Sequence, residues 1–306
     1  MFNRIVFFNH FHRGDLFTHK EFVREIKKSL KNVDYEYWHF NHPKVNLDLQ
    51  IPLTGVPKVP KNHLFYRHED TLLINTWIGV HSQIFNECGG VNLQSLSRSW
   101  TTIYETINSL FNVNLVTYND ITKYLPTVNY SFFNLESIEV YLKQRSSQKK
   151  VLICNGIPMS GQSFQSSMEA EIQEFALKYK DIDFICTKKF NCSIPNICFT
   201  DEIIADKEEY TYKTPWNDRS LNNCDLNEIS YLSTKCDMII GKNSGPFVFC
   251  ETYNNLMDST KKIISFSRGE RESMSNGIDK KCDYHLVTDH SPDNIKYIIE
   301  RELNKL

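Results

Sequence analysis

The stretch 235–256, KCDMIIGKNSGPFVFCETYNNL, constrains the fold of this chain more than any other. Met238, Ile239 and Ile240 make a short apolar run suited to a buried parallel strand, and Gly241 ends it. Asn243, Ser244 and Gly245 follow as a turn of small polar residues. Pro246 then stands where it can open a helix, because it lacks the N–H that a first helical turn leaves unpaired. Strand, turn and helix in succession aim several backbone N–H groups at one point, which suits an anion such as phosphate. An ordinary βα connection with a tight turn accounts for the same residues, so the rest of the chain has to decide.

The same plan recurs on either side. Residues 151–154 (VLIC) read as a strand closing on Asn155, Gly156 and a loop of small, hydrogen-bonding residues that includes Ser160, Gly161 and Gln162. Strands at 184–186 and 197–199 close on Lys188 and on Thr200, and further strands are expected at 237–240, 263–266 and 285–287. Helical patterns at 168–179, 228–234 and 292–303 alternate with them. The first half opens in the same way, with a strand at 4–8, a polar loop at 9–15, a helical apolar pattern from Leu16 to Leu30 and a strand at 35–40. A Pro-punctuated loop spans 43–60, two strands at 63–66 and 72–78 flank a polar turn, and helices are expected at 96–111 and 135–142.

The unpatterned polar run 146–150 reads as a linker, which places domains at 1–148 and 149–306, with the last helix able to pack back on the first. The fold class expected is α/β, two Rossmann-like domains with ligands beyond the carboxyl ends of their strands. On that plan Asn155, the 160–163 loop, Lys188, Thr200 and the 243–246 turn converge on one sheet edge, which favours a nucleotide site over a chance turn.

Composition narrows the partners. With 306 residues and a net charge of −2 spread along the chain, nothing marks a nucleic-acid binder. Nine cysteines without CxxC pairs read as buried thiols of a reducing compartment. The first residues hold too short an apolar run for a signal peptide, and no segment reaches about 18 uninterrupted apolar residues. The expectation is a soluble cytoplasmic protein, with peripheral membrane contact left open.

The loop 9–15 carries the densest chemistry. Asp15, at the start of a helix, either caps it or acts as a general base toward a hydroxyl. His10 and His12 can do the same or hold an anion when protonated. Two histidines at i, i+2 have no carboxylate or cysteine partner at diagnostic spacing, so no metal site is expected. Asn75 and Trp77 interrupt an apolar run; they are either buried structural residues or, for the indole, a platform for a sugar ring. Glu251 is either an exposed helix residue or an acceptor of ribose hydroxyls, seven residues beyond Ser244. The chain has no GxxxxGK[ST], no GxGxxG after a first strand, and Gly-Lys-Asn-Ser-Gly-Pro at 241–246 is not a GxSxG elbow.

On these residues the chain resembles glycosyltransferases of the GT-B architecture, most closely the heptosyltransferase-like family. Three places carry the resemblance: Gly14-Asp15 between the first strand and helix, the strand and loop at 151–163, and 230–249 with Cys236-Asp237, Gly241 and Ser244-Gly245-Pro246. The resemblance implies two domains facing each other across a cleft, with acceptor on the N-terminal side and nucleotide-sugar on the C-terminal side. It makes Asp15 the base and assigns donor phosphate contacts to Ser244, Gly245 and Pro246. Arg13, Asn75 and Trp77 become candidates for the acceptor side. Asn243 departs from the family's usual Asp, and the basic residue expected in the 160–163 loop is missing, a role Lys188 or Lys242 can fill. The activity implied is metal-independent transfer of a sugar to a glycan or glycoconjugate hydroxyl, with the nucleotide-sugar as co-substrate and no other cofactor. A nucleotide-sugar epimerase or hydrolase, and a non-catalytic sugar- or nucleotide-binding protein, are the alternatives. Oligomeric state is not readable from the sequence.

Overall fold

The computed structural model describes residues 2–39, 43–55, 58–84, 92–156, 167–205, 225–242, 244–267, 269 and 274–306. They fall into two α/β units. One holds the chain up to Asn129 together with Met274–Asp279, and the other holds Tyr130 onward apart from such returns.

The first unit is built on β1 (Arg4–Phe8), whose last four residues, Ile5 to Phe8, are fully buried, as in a central strand covered on both faces. Helices α1 (Arg13–Thr18) and α2 (Lys20–Ser29) lead to β2 (Asp34–Trp38), and an edge strand β3 (Leu53–Gly55) forms inside the Pro-punctuated stretch. A hairpin follows, β4 (Phe65–His68) and β5 (Thr71–Asn75), turning through Glu69 at φ 52°. The sheet order is β3-β2-β1-β5-β4, parallel except for β4. β5 stops at Asn75, short of the expected 78, because the Asn75 Oδ1 accepts the Trp77 N–H and turns the chain into α3 (Ile78–Ile84). Helix α4 (Leu93–Phe111) starts at a reciprocal Asn92–Ser95 capping box.

The second unit opens with α5 (Glu136–Gln144), which the sequence placed before the domain boundary. Its C-terminal end is tied to this unit by Tyr141 and Arg145, both bonded to the buried Asp183 carboxylate. Then come β6 (Lys149–Cys154), α6 (Glu169–Lys178), β7 (Ile182–Cys186), β8 (Ile197–Phe199) and α7 (Thr200–Ile203). The chain continues with α8 (Leu226–Ser233), β9 (Met238–Lys242), α9 (Gly245–Val248), α10 (Tyr253–Leu256), β10 (Lys262–Phe266), β11 (Asp283–Val287) and α11 (Pro292–Leu303). All six strands are parallel in the order β11-β10-β9-β6-β7-β8. Counted from β6 this is the doubly wound order 3-2-1-4-5-6 read in reverse. The last helix belongs to this core: Ile295, Ile299 and Leu303 pack in one cluster with Val151, Phe184, Ile240 and Ile264. No helix among the described residues is long and apolar enough to cross a membrane. The seven cysteines among them are all free thiols.

Candidate functional site

Each parallel sheet has one place where successive connections leave in opposite directions, and ligands bind outside the carboxyl ends of the strands there. In the first unit that place lies between β1 and β5; in the second, between β6 and β9.

At the first, Asn9 follows β1 directly and is fully buried. Its Oδ1 accepts the Phe11 N–H at 2.7 Å, and its Nδ2 donates to the Thr76 carbonyl at 3.0 Å and reaches Asp15 Oδ2 at 3.5 Å. Asp15 is the third residue of α1, whose N-cap, His12, makes no side-chain capping bond. The Ile78 N–H, 63 residues away, donates to the same Asp15 Oδ2 at 3.0 Å. A cap alone does not describe this carboxylate: one oxygen is tied across the strand ends of β1 and β5. Burial pushes the Asp15 carboxyl up to about 6, against the pull of His12, the Ile78 N–H and Asn9.

Around it stand His12, exposed, and Arg13, half-buried. His10 is corrected by its bonding: Nε2 donates to the Val59 carbonyl at 2.8 Å, which makes the ring a strut of the 58–60 segment. Burial and the Lys61 charge hold His10 below the usual imidazole range. Asn75 is also corrected. It is fully buried, its Nδ2 donates to the Lys61 and His63 carbonyls, and its Oδ1 accepts from Trp77, so it positions a loop. Trp77 itself is half-buried, with its ring centre 4.5 Å from that of Phe11.

Several participants went unread in the sequence. His39, buried just past β2, is pushed down to about 3 by burial and by the charges of Arg13, His12 and His10. Its place after a strand end was the available signal. The Thr76 hydroxyl bonds Tyr37 Oη, and His81 takes the Ser99 hydroxyl on Nδ1 while its Nε2 donates to the Asn75 carbonyl. The Ile78 amide left no signal, since any residue there offers one.

At the second place, Cys154 and Gly241 lie opposite each other at the ends of β6 and β9. Asn155 is buried and its amide is taken up by one residue: Nδ2 donates to the Lys188 carbonyl and Oδ1 accepts the Lys188 N–H, both at 2.8 Å. It staples the end of β6 to the residue just beyond β7. A Cβ added at Gly156 would meet none of the described residues within 4 Å. Lys188 is exposed, and Lys242, the last residue of β9, is fully buried. Burial and the charge of Lys188 lower the Lys242 ammonium, so two cations share this edge. Gly241 does not end the strand but sits within it, and a Cβ there would stand 2.3 Å from the Phe247 ring and 2.9 Å from the Cys154 Cβ, which leaves room for glycine alone.

Ser244 is the N-cap of α9, and its buried Oγ has no hydrogen-bond partner among the described residues. Gly245 and Pro246 open that helix, which runs only to Val248, so single amides rather than a long helix dipole are what this turn offers. Two expectations fail here. Glu251 lies beyond α9, buried, and accepts from Tyr284 Oη at 2.8 Å. Thr200 is buried at the end of edge strand β8, two strands from β6, about 10 Å away at the spacing of a sheet, and does not reach the switch point. Ser160, Gly161, Gln162 and Asn243 lie outside the described residues.

One group among the described residues has metal-ligating spacing, Asp283, His285 and Glu302. Asp283 opens β11, at the opposite sheet edge, and Glu302 is held down to about 2 by bonds from Lys305, Lys262 and Arg301.

No family model matches the chain, and no curated protein does. Among solved structures it is similar to a family 9 glycosyltransferase from Veillonella parvula, at 11% identity over 97% of this chain and 91% of that one, with a TM-score of 0.43. An E. coli heptosyltransferase with ADP matches at 7% identity over 97% and 99%, TM-score 0.47. A UDP-GlcNAc 2-epimerase from Neisseria meningitidis bound to UDP-GlcNAc matches at 12% over 98% and 91%, TM-score 0.40. At these scores and identities the likeness assigns neither family nor activity, and the functional reading rests on the two strand-end sites.

Proposed function

We propose that the chain is a glycosyltransferase that moves a sugar from a nucleotide-sugar to a hydroxyl of a glycan or glycoconjugate. Asp15 takes the hydroxyl proton, the acceptor oxygen bonds the anomeric carbon, and the bond from that carbon to the diphosphate breaks. What carries the reading is the Asp15 carboxylate, buried at a switch point, fixed through one oxygen and raised to about 6. Such a group is ionised at neutral pH yet basic enough to accept a proton in a transition state. The second unit supplies the complementary chemistry. Lys188, Lys242, the Ser244 hydroxyl, which has no hydrogen-bond partner among the described residues, and the Gly245 amide are suited to the charge that builds on a leaving diphosphate, and no divalent ion is needed in this scheme.

The test is a panel of nucleotide-sugars with and without glycoside acceptors, run on the wild type and Asp15→Asn. Expected are release of nucleoside diphosphate that depends on acceptor and its loss in Asp15→Asn, with nucleotide binding retained. Full activity in that variant removes Asp15 as the base. Free sugar or an epimer formed without acceptor assigns the epimerase or hydrolase reading instead, and binding without turnover across the panel assigns a binding protein.

A further inference from the structure

We infer that His81 is a positioning residue for Asp15, holding in place the turn whose amide fixes the carboxylate. The inference rests on the proposed transferase reading for its catalytic meaning and deepens it by naming what keeps the base in register. The Ile78 N–H that donates to Asp15 Oδ2 at 3.0 Å comes from the turn between β5 and α3. That turn is tied on one side to the end of β1. The Thr76 N–H donates to the Phe8 carbonyl at 2.8 Å, and the Thr76 carbonyl accepts from Asn9 Nδ2 at 3.0 Å. On the other side the tie is His81, whose Nε2 donates to the Asn75 carbonyl at 2.8 Å while its Nδ1 takes the Ser99 hydroxyl of α4 at 2.7 Å.

Both ring nitrogens are committed, and their roles follow from the partners. A carbonyl only accepts, so Nε2 carries the proton and Nδ1 is left to accept from Ser99. His81 and Ser99 are both buried, and burial holds the imidazole down to about 4. The neutral ring with its proton on Nε2 is therefore the form present at neutral pH.

A second buried ring ties the arrangement to Asp15 itself. His19 stands 4.8 Å from His81 between ring centres, and Trp100 lies against both, at 5.6 and 6.0 Å. His19 Nδ1 donates to the Asp15 backbone carbonyl at 2.6 Å. The main chain that carries the carboxylate and the turn that supplies its amide partner are thus held by two adjacent imidazoles. A core histidine needs only that its nitrogens be satisfied; here one partner belongs to the turn that reaches Asp15. An amide N–H bonded to a carboxylate favours the charged form, so a slackened turn should raise the pH at which Asp15 titrates.

The experiment follows two NMR signals of the full chain against pH. One is the Asp15 side-chain carboxyl, identified by its absence in Asp15→Asn; the other is the Ile78 amide, identified by its absence from isoleucine-labelled Ile78→Val. In the wild type both should titrate together at about 6. His81→Leu, which keeps bulk and has no donor, should move the carboxyl midpoint up by about one pH unit and uncouple the Ile78 amide from it. His81→Gln, whose side-chain amide can donate to Asn75 in place of Nε2, should restore most of both. His19→Leu should move the midpoint less, because the His19 backbone N–H still donates to the Asp15 carbonyl. His12 and Tyr37, whose charges also act with that of Asp15, stay in place in every variant. Circular dichroism checks folding. If His81→Leu does not fold, Ser99→Ala takes its place, with a rise of about half a pH unit expected. An unmoved midpoint in the folded variant, or equal shifts in His81→Leu and His81→Gln, overturns the assignment. Neither donor nor turnover enters, so these outcomes stand apart from the Asp15→Asn activity result. A midpoint that moves as expected in a protein that transfers no sugar leaves the positioning and removes the transferase.

Discussion

Both central strands end in the same way and are then used differently. Phe8 is followed by Asn9 and Cys154 by Asn155, each a buried asparagine one residue beyond the strand. Asn9 binds across the switch point, to the Thr76 carbonyl beyond β5, and the Ile78–Asp15 bond crosses the same gap. Asn155 binds on the far side of β6, to Lys188 beyond β7, and among the described residues its amide reaches nothing on β9. The first strand end is thus laced across its switch point, while among the described residues Asn155 makes no such bond across the second. On the proposed transferase reading, the laced site is the one assigned the base and the other the one assigned the anion.

The widest effect that can break this contrast is in Asp15→Asn, which should lower the rate by about 10²–10⁴ and leave nucleotide affinity unchanged. In the wild type the rate should fall as pH drops through about 6. The stability sign is opposite to the activity sign. A carboxyl raised in the folded state stabilises below its unfolded value of 3.8, and that contribution is lost as pH rises through about 6. Asp15→Asn should therefore raise the melting temperature at pH 8, by up to about 3 kcal/mol of stability, and have little effect below pH 4.

Acid should next separate the two units. His19, His39 and His81 are buried in the first unit, all held well below the usual imidazole value by burial, His81 to about 4. The unfolded chain takes up their protons from 6.5 downward while the folded one does not. Their contribution is therefore intact above 6.5 and falls as pH drops toward 4, by about 3 kcal/mol for His81 alone. The histidines described in the second unit, His285 and His290, are not buried. Tryptophan fluorescence, in which three of the four tryptophans, Trp38, Trp77 and Trp100, report on the first unit, should change at higher pH than circular dichroism; coincident transitions would contradict this.

A smaller effect tests the anion site proposed in the second unit. Lys242→Met should weaken nucleoside diphosphate binding by about tenfold or more, measured by calorimetry, as loss of a charged contact does. Lys188→Met should cost less, because Lys188 is exposed. The smallest effect tests the lacing itself. At about 0.5–1.5 kcal/mol per hydrogen bond, Asn9→Ala loses three contacts and Asn155→Ala two, so urea unfolding should show the first to be costlier by about 1 kcal/mol.

The strands were largely legible. The expected runs at 151–154, 184–186, 197–199 and 263–266 fall inside β6, β7, β8 and β10, because buried parallel strands need apolar runs, and 285–287 falls inside the less buried edge strand β11. Neighbour order is not written in periodicity. Thr200 looked like a partner of Asn155 until the order put β8 on the edge. Asp15 was readable as a candidate because its residue type and place both signal chemistry, but the amide that fixes it comes from Ile78, whose side chain says nothing of it. The boundary before 149 followed composition, whereas the bonds of Tyr141 and Arg145 to Asp183 carry α5 into the second unit.

The segment Met274–Asp279 has a practical consequence. It returns from the second half of the chain to join the first unit, where the Met274 carbonyl accepts the N–H of Leu93 as α4 begins. Severing the gene once, anywhere near residue 130, would strip the leading fragment of a piece contributed from far downstream. Split-protein reporters and half-for-half chimeras made from this scaffold would have to graft that piece back.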